Sequence, residues 1–234
     1  MSAAGSIRLA SVSLLAAASL SLSCSGAPPA PAAPLLPPPP PGRLRAVSDF
    51  SAFGSRDARA AALFVEATRV MLHPRCVNCH PSGDVPLQGD RGYLHEPPAT
   101  RGPDGNGVVG MTCTGCHQSQ NLELGHVPGA PGWHLAPRSM AWQGVDPHAL
   151  CEQVKDPERN GGKTLAQIVA HTKDDALVAW GWSPGHGRST PPGDQQSFGA
   201  LIAAWAESGA ACPAEGVTSD LPDTTTSASE RETP

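Results

Sequence analysis

Two five-residue segments concentrate the reactive side chains of this chain: Cys76-Val77-Asn78-Cys79-His80 and Cys113-Thr114-Gly115-Cys116-His117. Two thiols separated by two residues reach the two vinyl groups of one porphyrin. The histidine directly after the second thiol then lies beneath the iron, which makes Cys-x-x-Cys-His the attachment pattern of a c-type haem. The expected cofactors are two haem c groups with their irons, one on Cys76, Cys79 and His80 and one on Cys113, Cys116 and His117. A four-cysteine zinc ribbon also shows two Cys-x-x-Cys pairs, but usually about 15–20 residues apart. Here 33 residues, His80 to Thr112, lie between the pairs, and a ribbon needs no histidine after each one. A thioredoxin-like redox site would need a βαβ pattern around the cysteines, and none surrounds either pair.

A low-spin haem iron takes a sixth ligand, histidine or methionine. His73, His95, His126, His134, His148, His171 and His186 remain once His80 and His117 are assigned, with Met71, Met111 and Met140 as sulfur donors. His95, in a loop after the first motif, and Met140, in an apolar loop after Pro137, are the first expectations. His73, three residues before Cys76, and His171, on a helix with an apolar face, come next. A histidine–methionine haem would carry the higher potential of the two.

Haem attachment of this kind requires export. Arg8 gives a short charged start, and Leu9–Leu22 (LASVSLLAAASLSL) is an apolar stretch that reads as a secretory signal, too short for a convincing membrane span. Leu20-Ser21-Leu22-Ser23-Cys24 resembles a bacterial lipoprotein cleavage site, with Ser21 where leucine is preferred. Cys24 is thus the candidate lipidation site, and ordinary cleavage nearby is the alternative. The expected location is the bacterial periplasm, with a membrane anchor at Cys24. Seven cysteines are present. With Cys24 lipidated and four holding haem, Cys151 and Cys212 remain as one pair in an oxidising compartment, where a disulfide persists. Two buried free thiols are the alternative.

The elements that must position these groups are helices and loops. Residues 1–23 form the signal, and 24–45 the lipidated cysteine and a proline-rich linker, whose Ala27–Gly42 stretch suits polyproline II. Residues 46–213 form one domain. Residues 214–234, polar and nearly free of large apolar side chains, form a disordered tail. Apolar spacing predicts a helix over Asp57–Leu72, with Ser55 or Asp57 as N-cap. Asp146-Pro147 opens a short helix through Leu150, Cys151 and Val154. Asn160-Gly161-Gly162 breaks the chain, Leu165, Ile168 and Val169 mark a helix carrying His171, and Asp194–Glu207 is the last helix, stopped near Gly209. Nothing alternates long enough to argue a sheet, and Pro81–Ser139 reads as loop, which is long unless a cofactor organises it. The fold class is therefore mainly α: small helices and long loops packed around two covalently bound haems. Five Trp, four Phe and one Tyr make a thin aromatic core, which two porphyrins would supplement. A net charge of −5 gives no case for nucleic-acid binding, which calls for a basic face.

From His73 to Cys212 the chain resembles a bacterial family of small exported cytochromes that bear the name isoquinoline 1-oxidoreductase subunit. The resemblance rests on HPRCVNCHPSGDVPLQGD (His73–Asp90), RGPDGNG (Arg101–Gly107), CTGCH, VPGAPGWHLAPRSMAWQG (Val127–Gly144) and LVAWGWSPGHGR (Leu177–Arg188). An enzyme of that name is a molybdenum hydroxylase with iron–sulfur clusters. This chain has no spare cysteines for clusters and no recognisable molybdopterin site, so the resemblance implies a partner of that kind, or another periplasmic dehydrogenase, that hands electrons to it. The expected function is electron transfer toward the respiratory chain. A haem enzyme of peroxidase type and a gas sensor, each with one open iron, are the alternatives.

Overall fold

The structure, a computed structural model, describes residue 36 and residues 38–218. The expected signal, Cys24, most of the proline-rich linker and the tail beyond residue 218 lie outside the described residues. The described chain is mainly helical, with two minimal hairpins. No described helix is long and apolar enough to cross a membrane.

Helix α1 (Arg56–Met71) starts where the Ser55 hydroxyl accepts from the Ala58 N–H at 3.1 Å, satisfying one of the donors every helix start leaves free. Ala60, Leu63, Phe64, Ala67, Val70 and Met71 recur at helical spacing and are all buried. Glu66, an acid on that buried face, accepts from Arg69 at 2.7 Å and from the Arg45 backbone at 3.0 Å. A single turn, α2 (Pro74–Val77), carries Cys76, and another, α3 (Cys113–Cys116), carries both cysteines of the second motif. Helix α4 (Pro147–Lys155) opens on Asp146, whose carboxylate accepts from Ala149 N–H at 2.8 Å, with Pro147 in the first helical position. Asn160 bridges the break that follows: its amide donates to Val154 O at 2.8 Å and Lys163 O at 2.9 Å.

Helix α5 (Leu165–Asp174) has a Thr164/Gln167 capping box. The short α6 (Ala176–Ala179) follows it, capped by Asp175. Helix α7 (Gln195–Glu207), capped by Asp194, packs on α1 and on α5. Its Leu201, Ile202 and Trp205 meet Leu63, Phe64, Leu150 and Val154 in the main core. Phe64 and Trp205 lie 4.9 Å apart by ring centres. Each such buried side chain contributes about 1.5–3 kcal/mol.

The stretch from Pro81 to Ser139 is largely loop, as its composition implies, but contains two antiparallel hairpins. In one, β1 (Leu87–Gln88) pairs with β2 (Tyr93–Leu94), Leu87 opposite Leu94. In the other, β3 (Gly107–Val108) pairs with β4 (Met111–Thr112), Gly107 opposite Thr112. Strands of two residues cannot show alternation, so the sequence does not announce them. Gly107 is required: its φ is +91°, and a Cβ there would stand 2.5 Å from Met111 O. Cys151 and Cys212 are joined by a disulfide across 61 residues, with Cα atoms 5.6 Å apart.

Candidate functional site

Each Cys-x-x-Cys-His motif opens on its own cavity. The first is lined by Cys76, Cys79 and His80 together with apolar groups from α1, α4, α5 and α7. The second is lined by Cys113, Cys116 and His117 and by the β1–β2 hairpin. The four motif cysteines are free thiols. Burial pushes the Cys76 thiol up to about 12 and the Cys79 thiol up to about 11, the neighbouring Arg75 opposing both. They stay neutral at ordinary pH, unlike the thiolates of a redox nucleophile.

The two motif histidines are held alike. His80 Nδ1 lies 2.8 Å from Met140 O, and His117 Nδ1 lies 2.7 Å from Pro128 O. A carbonyl only accepts, so Nδ1 carries the proton in each ring and Nε2 keeps its lone pair. A tryptophan stacks on each ring: Trp142 on His80 at 3.4 Å and 11°, Trp133 on His117 at 4.5 Å and 9°. Trp133 is braced edge-on by Trp180 at 4.9 Å, whose Nε1 donates to Asn121 at 2.9 Å. Burial pulls His80 down to about 3, and lowers His117 as well. Both rings therefore keep a neutral, ligating form.

One segment separates the cavities. His134 lines both, Leu135 lines the second and Ala136 the first. Leu135 N–H donates to Gly105 O at 2.9 Å and Ala136 N–H to Cys79 O at 3.2 Å, so this partition is stitched to the first motif and to the loop that precedes the second. Arg101, buried, supports it from behind: its guanidinium donates to Ala136 O, to Gly83 O at 3.1 Å and to Pro81 O at 3.3 Å.

The other candidate ligands fall in different places. His95 lies in the second cavity, its ring centre 5.8 Å from that of His117. His171 lies in the first, its Nδ1 3.3 Å from the Asp175 carboxylate. Met140 also contributes to the first wall, but its carbonyl accepts from His80 Nδ1, which places its backbone behind His80, away from Nε2. His73 faces neither cavity. Its Nδ1 accepts from Arg75 N–H at 3.2 Å as the N-cap of α2, and Nε2 lies 3.4 Å from Ser189 Oγ. Sequence reasoning did not single out Trp133, Trp142 or Arg101. Two tryptophans within one Gly/Pro-rich loop, where no helix or strand could bury them together, were the available signal.

His73 yields a pH prediction. Burial, with a contribution from Arg75 and against Asp90, pulls it down to about 4. Above pH 6.5 it is neutral in both folded and unfolded chains. As the pH falls from 6.5 to 4 the unfolded chain takes up the proton first, so stability is lost across that window. The loss is roughly 2 kcal/mol once solvent screening is allowed for. His73→Asn keeps a capping side chain and removes the titration, so urea midpoints compared at pH 7 and pH 4 should fall less in the variant. Equal falls would assign the acid sensitivity elsewhere.

The donor set fits a tethered porphyrin at both places. The second cavity, about 510 Å³, is on the scale of ordinary cofactor sites. It is bordered by two cations, Arg75 and Arg188, and the buried Arg75 Nε has no hydrogen-bond partner among the described atoms; a porphyrin carboxylate would provide one. The first cavity presents the same donor types but is narrower, about 140 Å³, and strongly apolar, so a porphyrin there would require wall side chains such as Met71, Met140 and Lys163 to move apart. Among the described residues no three His, Cys, Asp or Glu side chains gather about one point, so the two cysteine pairs do not converge as a zinc ribbon's would. Comparisons of the chain with known protein families, with curated proteins and with solved structures give no match.

Proposed function

We propose that the chain is a dihaem c-type electron carrier of the periplasm, taking electrons from a dehydrogenase or molybdenum hydroxylase and passing them toward the respiratory chain. The observation that carries this reading is the duplication of one arrangement: a Cys-x-x-Cys-His motif on a cavity, its histidine fixed by a backbone carbonyl at Nδ1 and stacked on a tryptophan. Haem c, when bound, supplies a one-electron iron couple at each place. Cys76 and Cys79, and Cys113 and Cys116, fix the groups covalently. His80 and His117 present Nε2, their carbonyl partners set the tautomer, and the tryptophans prevent the rings from turning. The shared Trp133–Ala136 partition keeps the two sites adjacent, so an electron entering at one can leave from the other. For the first iron, His171 and Met140 both line the cavity; we favour His171, which enters it from α5, whereas the Met140 carbonyl is already the partner of His80 Nδ1.

Purified protein from a host with haem-attachment machinery should carry two covalent haems per chain by pyridine haemochrome assay and intact mass. Cys76→Ala with Cys79→Ala should leave one. A chain that binds zinc and no haem would end this reading.

The anchor proposed at Cys24 has its own test. Cys24→Ser should move the protein from the membrane to the soluble periplasmic fraction. If the unaltered protein is already soluble, Cys24 carries no lipid.

A further inference from the structure

Resting on the dihaem reading, we infer that His95 is the sixth ligand of the second haem, so that this haem is closed by two histidines and clamps the hairpin after the first motif onto the second motif. His95 follows β2 directly, and its backbone N–H donates to Pro86 O at 3.0 Å, closing the base of the β1–β2 hairpin. That hairpin is fastened to the first motif, since Leu87 N–H donates to Asn78 O at 3.1 Å and the Asn78 amide to Gly89 O at 2.8 Å. The ring is therefore delivered to the second cavity by a structure rooted in the first motif.

Three observations converge on ligation. His95 Nδ1 is 2.7 Å from Pro97 O, so Nδ1 carries the proton and Nε2 is the free donor, as in His80 and His117. His95, His117, Cys113 and Cys116 all line one cavity. The third is distance. A first-row metal–imidazole bond is about 2 Å, so two imidazoles bound through Nε2 to opposite faces of one iron hold their ring centres about 6 Å apart. The two rings stand at 5.8 Å, inclined by 65°. An edge-on ring contact can have the same spacing; what sets this pair apart is that both rings line the cavity that also holds Cys113 and Cys116, with Nδ1 tied back in each.

His134 also lines this cavity with its Nδ1 tied back, to Gly132 O at 2.5 Å, but it lines the first cavity as well and its ring is not the one set against His117. Met111 lies two residues before Cys113, on β4 directly ahead of the motif, and is half exposed. The His126 ring lies against His186 at 3.1 Å. Among the described residues, the rings against His117 are Trp133, stacked on its face, and His95.

The test uses the haem-loaded full chain, unaltered and as His95→Ala and His95→Met, followed by EPR of the oxidised form and by carbon monoxide binding to the reduced form. In His95→Ala, one haem of two should turn high-spin and half of the total haem should gain carbon monoxide binding relative to the unaltered protein. Added imidazole should return that half to low spin by filling the vacated position. In His95→Met, the same haem should acquire thioether ligation and a higher potential. If both haems of His95→Ala keep the spin state and carbon monoxide response of the unaltered protein, His95 is not a ligand. It is equally excluded if imidazole restores nothing and His95→Met shows no sulfur ligation. Absence of covalent haem from the unaltered chain would overturn the dihaem reading itself, and this inference with it.

Discussion

Arg101→Met should lower the stability of the domain by about 3 kcal/mol, because it removes the donor for three backbone carbonyls at once. Arg101 is 6% exposed, and its guanidinium meets Ala136 O, Gly83 O and Pro81 O. Its own backbone joins two more segments: the N–H donates to Asp84 O at 2.7 Å, and the carbonyl accepts from Gly107 N–H at 2.9 Å. The residue therefore ties together the exit of the first motif, the approach to the second and the partition between the cavities. Burial lowers its pKa from the ordinary arginine value, with Asp84 opposing, so the charge itself is held at a cost that methionine would relieve. That relief offsets part of the loss. The larger part remains, since methionine fills the stem volume but donates to nothing, and an unpaired buried carbonyl costs about 1–3 kcal/mol. Urea denaturation of the two proteins measures the difference. A loss below about 1 kcal/mol would mean that water reaches these carbonyls without disturbing the fold. A functional consequence follows from position: the variant's partition should loosen before its α1–α7 core does, and amide exchange at Leu135 and Ala136 should accelerate more than exchange in α7.

Much of this arrangement is legible in the residues alone. The helix starts at Ser55, Asp146 and Asp194 follow from capping chemistry, and the buried stripe of α1 follows from its spacing. The pairing of Cys151 with Cys212 follows from parity, once Cys24 and the four motif cysteines are set aside as the sequence reading expects. The β1–β2 and β3–β4 hairpins do not, because two residues of alternation are no signal. Nor does the holding of each motif histidine. Met140 O reaches His80 across 60 residues, delivered by a 3-10 turn over Arg138–Met140, and no local pattern encodes a contact at that distance. His73 illustrates the opposite difficulty. Its position before Cys76 marks it as a candidate ligand, but its ring closes a helix start, a task usually given to Ser, Thr, Asp or Asn. Met140 stands in an apolar loop after a proline, as a ligating methionine would, yet its fixed group is the carbonyl. Residue type and spacing thus mark the proposed attachment groups, while any proposed sixth ligand depends on which loops the fold brings across each cavity.

Removing the Cys151–Cys212 bridge should cost about 4 kcal/mol in the chain-entropy account. The bridge spans 61 residues, and the closed loop contains α5, α6 and α7, including the helix that packs on both α1 and α5. Without the bridge the unfolded chain regains the freedom of that whole loop, while the folded chain loses little contact. Cys151 is fully buried in α4 within the main core, so alanine is the better replacement there; serine would bury an unpaired hydroxyl. The stretch of chain around Cys212 has other fastenings: Trp205 Nε1 donates to Ala211 O at 3.1 Å, and His148 Nδ1 lies 2.8 Å from Pro213 O. These hold the native geometry in place when the sulfur bond is absent, which is why the effect is expected in the unfolded state rather than as local fraying. A domain of this size is stabilised by about 5–15 kcal/mol in total, so Cys151→Ala with Cys212→Ala should remain folded but melt roughly 12 °C lower. Matched thermal and urea curves of the oxidised protein and the double variant measure this. A shift of only a degree or two would mean that the unfolded chain is already confined, and the two proposed covalent haem tethers, which lie outside the 151–212 loop, could not be the reason.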